Sequence, residues 1–198
     1  MKYKIIKPED FVTGVWAGGT TTQIAIYPED ASYGERNFIF RLSSATVDTD
    51  QSEFTHLPDY DRWLMILEGS ARLVYGNDRE ITLKPYECDA FDGGENTVSY
   101  GQVTDYNLML QKGGEGSLEA VRLDADTQKI RLLPQGRYQS GFAGVFLRGS
   151  HARITVCGEE FDLENGCQLL LIFEGDNTTE FEIAGSGAAV IAQGIFNI

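Results

Sequence analysis

Arg41 stands in the middle of an apolar alternation, residues 37–47 (NFIFRLSSATV). In an extended strand Phe38, Phe40 and Leu42 share one face, and Ile39, Arg41 and Ser43 share the other. A guanidinium placed there either reaches past its neighbours to solvent or, on the inner face of a closed sheet, is a buried cation that needs an anionic partner or ligand. Its planar fork of donors suits a carboxylate. Other polar residues also sit inside β-patterned stretches: Thr22 and Gln23 before the run 24–27, Arg62 before the run 63–67, Asp92 at a glycine corner, and Asn107 opening the run 107–111. With Trp16 they form the candidate ligand-binding set. An all-β interior lined by aromatics and a few such groups is a pocket for a small molecule. The expected partner is a small anionic metabolite.

Catalysis and metal binding have less to stand on. The chain has two histidines, His56 and His151, far apart in sequence. A tight transition-metal site wants at least three well-placed N, S or O ligands. Asp59, Asp61 and Glu95 could hold a hard divalent ion, although such residues more often make a turn and a solvated rim. His56 with Asp59 or Asp61 could form an acid–base pair, and a surface histidine before a proline turn is the commoner outcome. Asp48-Thr49-Asp50 opens like a calcium loop but lacks that motif's glycine and closing glutamate. Gly18-Gly19 resembles a phosphate cradle, yet a β-branched run and a strand follow where a helix N-terminus is needed, so a tight turn is the simpler reading. Gly185-Ser186-Gly187 lacks the strand-to-helix setting of a serine nucleophile. No catalytic residue, metal or cofactor is assigned, and the residues favour binding over catalysis. The alternative is an enzyme acting on a small anion, either a metal-free isomerase or hydrolase using His56 or a divalent-metal one using Asp59, Asp61 and Glu95.

The elements that must position these residues are strands. Residues 61–94 read as a meander in which short β-rich runs alternate with Gly, Asn, Asp and Pro turns. The 22 glycines and nine tyrosines favour the same turn-rich, all-β architecture. A chain of 198 residues can bury roughly 70% of its unfolded surface and folds without staples. Its net charge of −14 repels nucleic acid and anionic lipid. No run approaches the roughly 18 apolar residues of a spanning helix, and the first residues, MKYKIIKPEDF, do not read as a signal peptide. Cys88, Cys157 and Cys167 are odd in number and lack C-x-x-C spacing, which suits a reducing compartment. A cytoplasmic protein is expected.

The segment 145–175 echoes 65–93. Leu67-Glu68-Gly69 matches Leu147-Arg148-Gly149, 80 residues on, and Phe91-Asp92-Gly93 matches Phe173-Glu174-Gly175, 82 residues on. Turns at 76–78 and 158–160 fall between them in the same order. An internal repeat of this length predicts two copies of one small β unit. Lys112-Gly113-Gly114-Glu115-Gly116 is the clearest boundary, giving an N-terminal barrel over residues 1–112, a linker at 113–116 and a smaller barrel over 117–198.

The order L-E-G turn, strand, G-N-D turn, strand, K-P-Y-E, F-D-G-G resembles the central hairpins of a cupin. More specifically, Trp16 followed by Gly18-Gly19-Thr20-Thr21-Thr22-Gln23, the run Phe40-Arg41-Leu42-Ser43-Ser44-Ala45, and Thr104-Asp105-Tyr106-Asn107-Leu108-Met109 resemble the HutD/Ves family over about residues 3–123. That resemblance implies a bicupin, two small antiparallel barrels in one chain. It also implies an accessory or regulatory part in bacterial histidine utilisation through binding an intermediate such as formylglutamate. The chain departs from the family pattern at Ala17, where an Asn is usual, and at Gln23, where a Glu is usual. Cupins pair through sheet edges, which is compatible with a homodimer.

Overall fold

The computed structural model describes residues 1–76, 79–175 and 178–197. Of the turn expected at 76–78, Asn77 and Asp78 lie outside the described residues. The chain opens with β1 (Lys2–Ile6) and a 3-10 turn at Pro8–Asp10. There follow β2 (Val12–Trp16), β3 (Gly19–Tyr27), β4 (Phe40–Val47), β5 (Gln51–Glu53), β6 (Tyr60–Gly69), β7 (Ala71–Tyr75), β8 (Arg79–Leu83), β9 (Cys88–Asp92), β10 (Thr97–Tyr100) and β11 (Val103–Gln111). The remainder forms β12 (Glu115–Leu123), β13 (Gln128–Arg131), β14 (Ser140–Arg148), β15 (His151–Val156), β16 (Glu159–Glu164), β17 (Gln168–Glu174), β18 (Glu180–Gly185) and β19 (Gly187–Phe196). No helix among the described residues is long and apolar enough to cross a membrane.

Two compact units result, Phe11–Lys112 and a second formed by Met1–Asp10 with Gly113–Ile198. The first ten residues, expected at the head of the N-terminal barrel, therefore belong with the C-terminal half. The reason is a strand pairing: β1 runs antiparallel to β17, from Lys2 opposite Ile172 to Ile6 opposite Gln168. It covers what would otherwise be an open edge of hydrogen-bonding groups.

In the unit Phe11–Lys112 a six-stranded sheet, β2-β3-β4-β11-β6-β9, stands with a four-stranded one, β5-β10-β7-β8. Leu64 and Ile66 from the first sheet and Leu73, Tyr75 and Leu83 from the second share one apolar core. Strict alternation puts them there: Ala71, Leu73 and Tyr75 are buried while Arg72 between them is exposed. The other unit has sheets β1-β17-β14-β19-β12 and β13-β18-β15-β16. The order β9-β6-β11-β4 of one unit is the order β17-β14-β19-β12 of the other, and β5-β10-β7-β8 is β13-β18-β15-β16. One strand plan is used twice, as the 80-residue echo predicts. Gly69, from the echoed L-E-G turn, has φ +84, and a Cβ there would press on the Gln102 carbonyl at 2.5 Å. Only glycine meets both conditions without strain.

Two short strands lie where the sequence shows no clear alternation. The short strand β5 forms within the mostly exposed segment 48–53 and pairs with β10, which buries Ser52 opposite Ser99. Residues 12–16 form an additional edge strand, exposed along its whole length.

If β1 seals the β17 edge, removing residues 1–7 speeds amide hydrogen exchange along β17 and leaves β4 and β11 unchanged. Equal acceleration in all three strands would contradict the pairing.

Candidate functional site

The inner face of the six-stranded sheet is apolar at Leu64 and Ile66 but polar beside them. The ladder aligns Gln23, Ser43 and Asn107 across β3, β4 and β11. In a neighbouring row Met109 lies between Arg41 on β4 and Arg62 on β6. In the row on the other side Asp105 pairs with Ala45 and Ile66. Because side chains alternate strictly, these i and i+2 positions project from one face. They line a cavity of about 540 Å³, within the range of small-molecule sites. Its walls are completed by Tyr33 from the β3–β4 connection, Phe54, and Val12, Val15 and Trp16 of the β2–β3 hairpin.

That hairpin explains the double glycine. Trp16 pairs with Gly19 across a two-residue turn. The Trp16 ring lies over Gly18 so closely that a Cβ would overlap it, and a Cβ on Gly19 would overlap the Thr46 carbonyl. The glycines let the indole fold onto the cavity rim.

Arg41 is 5% exposed. Its Nε donates to Gln23 Oε1 and its Nη1 to Ser43 Oγ, both at 2.9 Å, and its guanidinium sits 4.5 Å from the Tyr33 ring centre. Every one of these partners is neutral. Arg62, also 5% exposed, lies over Phe54 at 4.7 Å and Phe91 at 5.2 Å. Its buried Nε has no hydrogen-bond partner among the described residues, and neither does Asn107 Oδ1. Burial lowers the pKa of both arginines, Arg62 to about 10 with Tyr33 and Asp105 opposing the shift. Both remain cationic at neutral pH.

Asp105 is the buried carboxyl of the cavity, 4% exposed. The Ala45 N–H donates to its Oδ1 at 3.1 Å. Burial raises its pKa from an ordinary 3.8 to about 7, against the pull of that hydrogen bond and of Arg62. Proton-exchanging carboxyls of this kind concentrate at functional sites.

Of the residues singled out from sequence, Arg41, Ser43, Gln23, Asn107, Trp16 and Arg62 line the cavity, and Thr22 and Asp92 do not. Alternation is the reason in both cases. Gln23 points in, so Thr22 points to the opposite face, where its hydroxyl meets Thr13 Oγ1 at 2.9 Å. Phe91 points in, so Asp92 turns to the corner, accepts the Gly94 N–H at 2.7 Å and pairs with Lys112 at 2.6 Å. That lysine holds its pKa below the ordinary value. Asp105, Tyr33, Phe54 and Met109 were not anticipated. Asp105 was within reach of the sequence, two residues before Asn107 on the same strand. Tyr33 was not, because it comes from an irregular connection with no period to read.

The alternative metal set is not assembled: no group of three or more His, Cys, Asp or Glu side chains among the described residues could hold an ion. His56 is exposed. In the repeated unit, the core-facing positions of β14 and β19 carry Ala143, Val145 and Leu147 with Ala189 and Ile191. Its Gln193 is satisfied by the Leu133 N–H and the Arg131 carbonyl. The void beside Gln193 measures about 10 Å³, room for one water at most. The polar cavity of about 540 Å³ lies in the unit Phe11–Lys112.

The HutD family profile matches residues 8–191. The chain belongs to the HutD family. A conserved protein of unknown function from Pseudomonas aeruginosa PAO1 superposes with a TM-score of 0.82 at 20% identity, covering 100% of both chains. HutD from Pseudomonas fluorescens SBW25, determined under a formate condition, gives 0.73 at 20% identity over 98% of each chain. Oxalate decarboxylase from Bacillus subtilis gives 0.63 at 8% identity over 98% of this chain and 77% of its own. The fold of this HutD-family chain is thus all-β and cupin-like. No curated protein matches it by sequence.

Asp105 generates a signed prediction. A carboxyl whose pKa is raised on folding binds more protons folded than unfolded, so its contribution to stability falls as pH rises from about 4 through about 7. Asp105→Asn keeps the acceptor for Ala45 N–H and removes the charge. It is expected to stabilise the protein by about 2–4 kcal/mol at pH 8, several degrees in Tm, with the gain vanishing toward pH 4. Melting curves across that range check it, and a gain that grows as pH falls would contradict it.

Proposed function

We propose that this HutD-family protein is a non-catalytic binding protein whose cavity takes a small carboxylate. The observation that carries the reading is Arg62, a buried cation whose Nε has no hydrogen-bond partner among the described residues and which lines a cavity of ligand size. Leaving a buried donor unsatisfied costs about 1–3 kcal/mol, more for a charged group. Two guanidiniums face one buried carboxyl, so the buried part of the site carries surplus positive charge even when Asp105 is ionised, with Glu53 out at the exposed mouth. A carboxylate supplies the missing anion and accepts two parallel N–H bonds from an arginine fork. The exposed Val15 and the half-exposed Trp16 at the rim offer apolar surface to the rest of the molecule.

The family points to histidine utilisation, and a formylglutamate-like acid is the candidate ligand, held in an accessory or regulatory role. In this reading the two units are cupin barrels and the chain is a bicupin with one working pocket. Arg41 and Arg62 hold the carboxylate, with Ser43 and Gln23 orienting Arg41 and Asn107 offering an acceptor to a donor on the ligand.

A ligand at 100 times its Kd adds about 2.7 kcal/mol, a shift of several degrees for a chain of this size. A thermal-shift screen of histidine-pathway acids is expected to find such an acid, and Arg41→Met and Arg62→Met to abolish its effect. Arg62→Met should at the same time raise the ligand-free Tm, because it removes an unpaired buried charge. Undiminished ligand shifts in both variants would refute the assignment.

A further inference from the structure

We infer that the cavity takes up a proton together with its anionic ligand, and that Asp105 is the residue that carries it. The inference rests on the carboxylate-binding reading above and concerns a residue to which that reading gives no contact with the ligand.

The geometry comes first. Asp105 and Asn107 are i and i+2 on β11, so the carboxyl projects into the same cavity as the acceptor of Asn107 and the two guanidiniums. The charged and titratable groups around it can be taken element by element. From β4, Arg41 is the ionisable residue on the cavity face; from β6, it is Arg62. Tyr33 covers Arg41, and Glu53 of β5 stands at the exposed mouth. Tyr75 of β7 commits its hydroxyl to Asp89 at 2.6 Å. No second buried acid shares the cavity with Asp105 among the described residues.

The electrostatics then fix the direction. In the free protein Asp105 divides its time between the two protonation states near neutral pH. Placing an anion beside it in a site closed to water disfavours the charged form. Its pKa is therefore higher in the complex than in the free protein, and between the two values the complex binds more protons. Affinity is then constant below about pH 6 and weakens as pH rises above about 7, by at most about tenfold per pH unit. In net terms the site binds the acid and not its anion: the carboxylate goes to the guanidiniums and the proton comes from solvent to Asp105. No bond other than the O–H on Asp105 is made. Such a site holds on to its ligand when the surroundings acidify and releases it when they become alkaline.

The test is isothermal titration with N-formyl-L-glutamate and formate, whose carboxyls stay ionised from pH 6 to 8.5, using the full chain and Asp105→Asn. The variant keeps both arginines and both histidines, so any contribution of His56 or His151 is common to the two proteins. For the wild type, a Kd about tenfold or more weaker at pH 8.5 than at pH 6 is expected. Repeating the titration at pH 7.5 in buffers of different ionisation enthalpy is expected to show uptake of a substantial fraction of one proton. For Asp105→Asn, a pH-independent Kd, tighter than wild type at pH 8.5, and no Asp105-linked uptake are expected. Binding that is flat with pH in both proteins, or equally pH-dependent in both, overturns the proton linkage and leaves the carboxylate site standing. Absence of saturable binding by every probe in both proteins at pH 6 overturns the carboxylate reading and this inference with it.

Discussion

The site depends on one electrostatic imbalance: two guanidiniums are buried on a single face of a six-stranded sheet, and among the described residues neither makes a salt bridge, Asp105 being the one buried carboxyl near them. Arg41 is held by an amide oxygen and a hydroxyl. Arg62 is held by two aromatic faces, with an Nε that has no hydrogen-bond partner among the described residues. Cation–π contact is worth about 2 kcal/mol or more when desolvated, whereas burying an unpaired charge costs several kcal/mol. The aromatic faces offset only part of that cost. A sequence selected for stability alone would place an apolar side chain there.

The duplicated architecture supplies the internal comparison. Four strands of each sheet keep one order in both units, and the second shows what the plan looks like when its core is apolar and its buried Gln193 is satisfied by backbone. The first unit departs from that at Arg62, Asp105 and Asn107, the positions that open the cavity. Scaffold and site are thus separable in this protein. The L-E-G turn and the alternating hairpins belong to the plan used twice, while the polar rows on β3, β4, β6 and β11 belong to one copy.

Much of this was legible in the residues, because a period of two is a strong signal. It gave the all-β class and the shared face of Arg41 and Ser43, while the motif echo gave the repeat. The same rule also limits Thr22 and Asp92. Each neighbours a residue that points inward, so each points out, and polarity alone had grouped them with the site. Asp105 was missed although it is two residues from Asn107, since an acidic residue in a motif reads as rim until the ladder shows it buried. Tyr33 and Ser52 come from a connection and a three-residue strand, where no period exists to be read. The edge pairing of β1 with β17 joins residues about 165 positions apart, and local pattern carries no information at that range.

The central claim is that Arg62 awaits an anion. The most direct measurement is a crystal structure of the protein grown with a small carboxylate such as formate or N-formyl-L-glutamate. The account predicts an ordered carboxylate inside the cavity, with an oxygen within about 3 Å of Arg62 Nε and a second contact to Arg41. A cavity in which Arg62 is satisfied by water alone while the carboxylate binds elsewhere would contradict it.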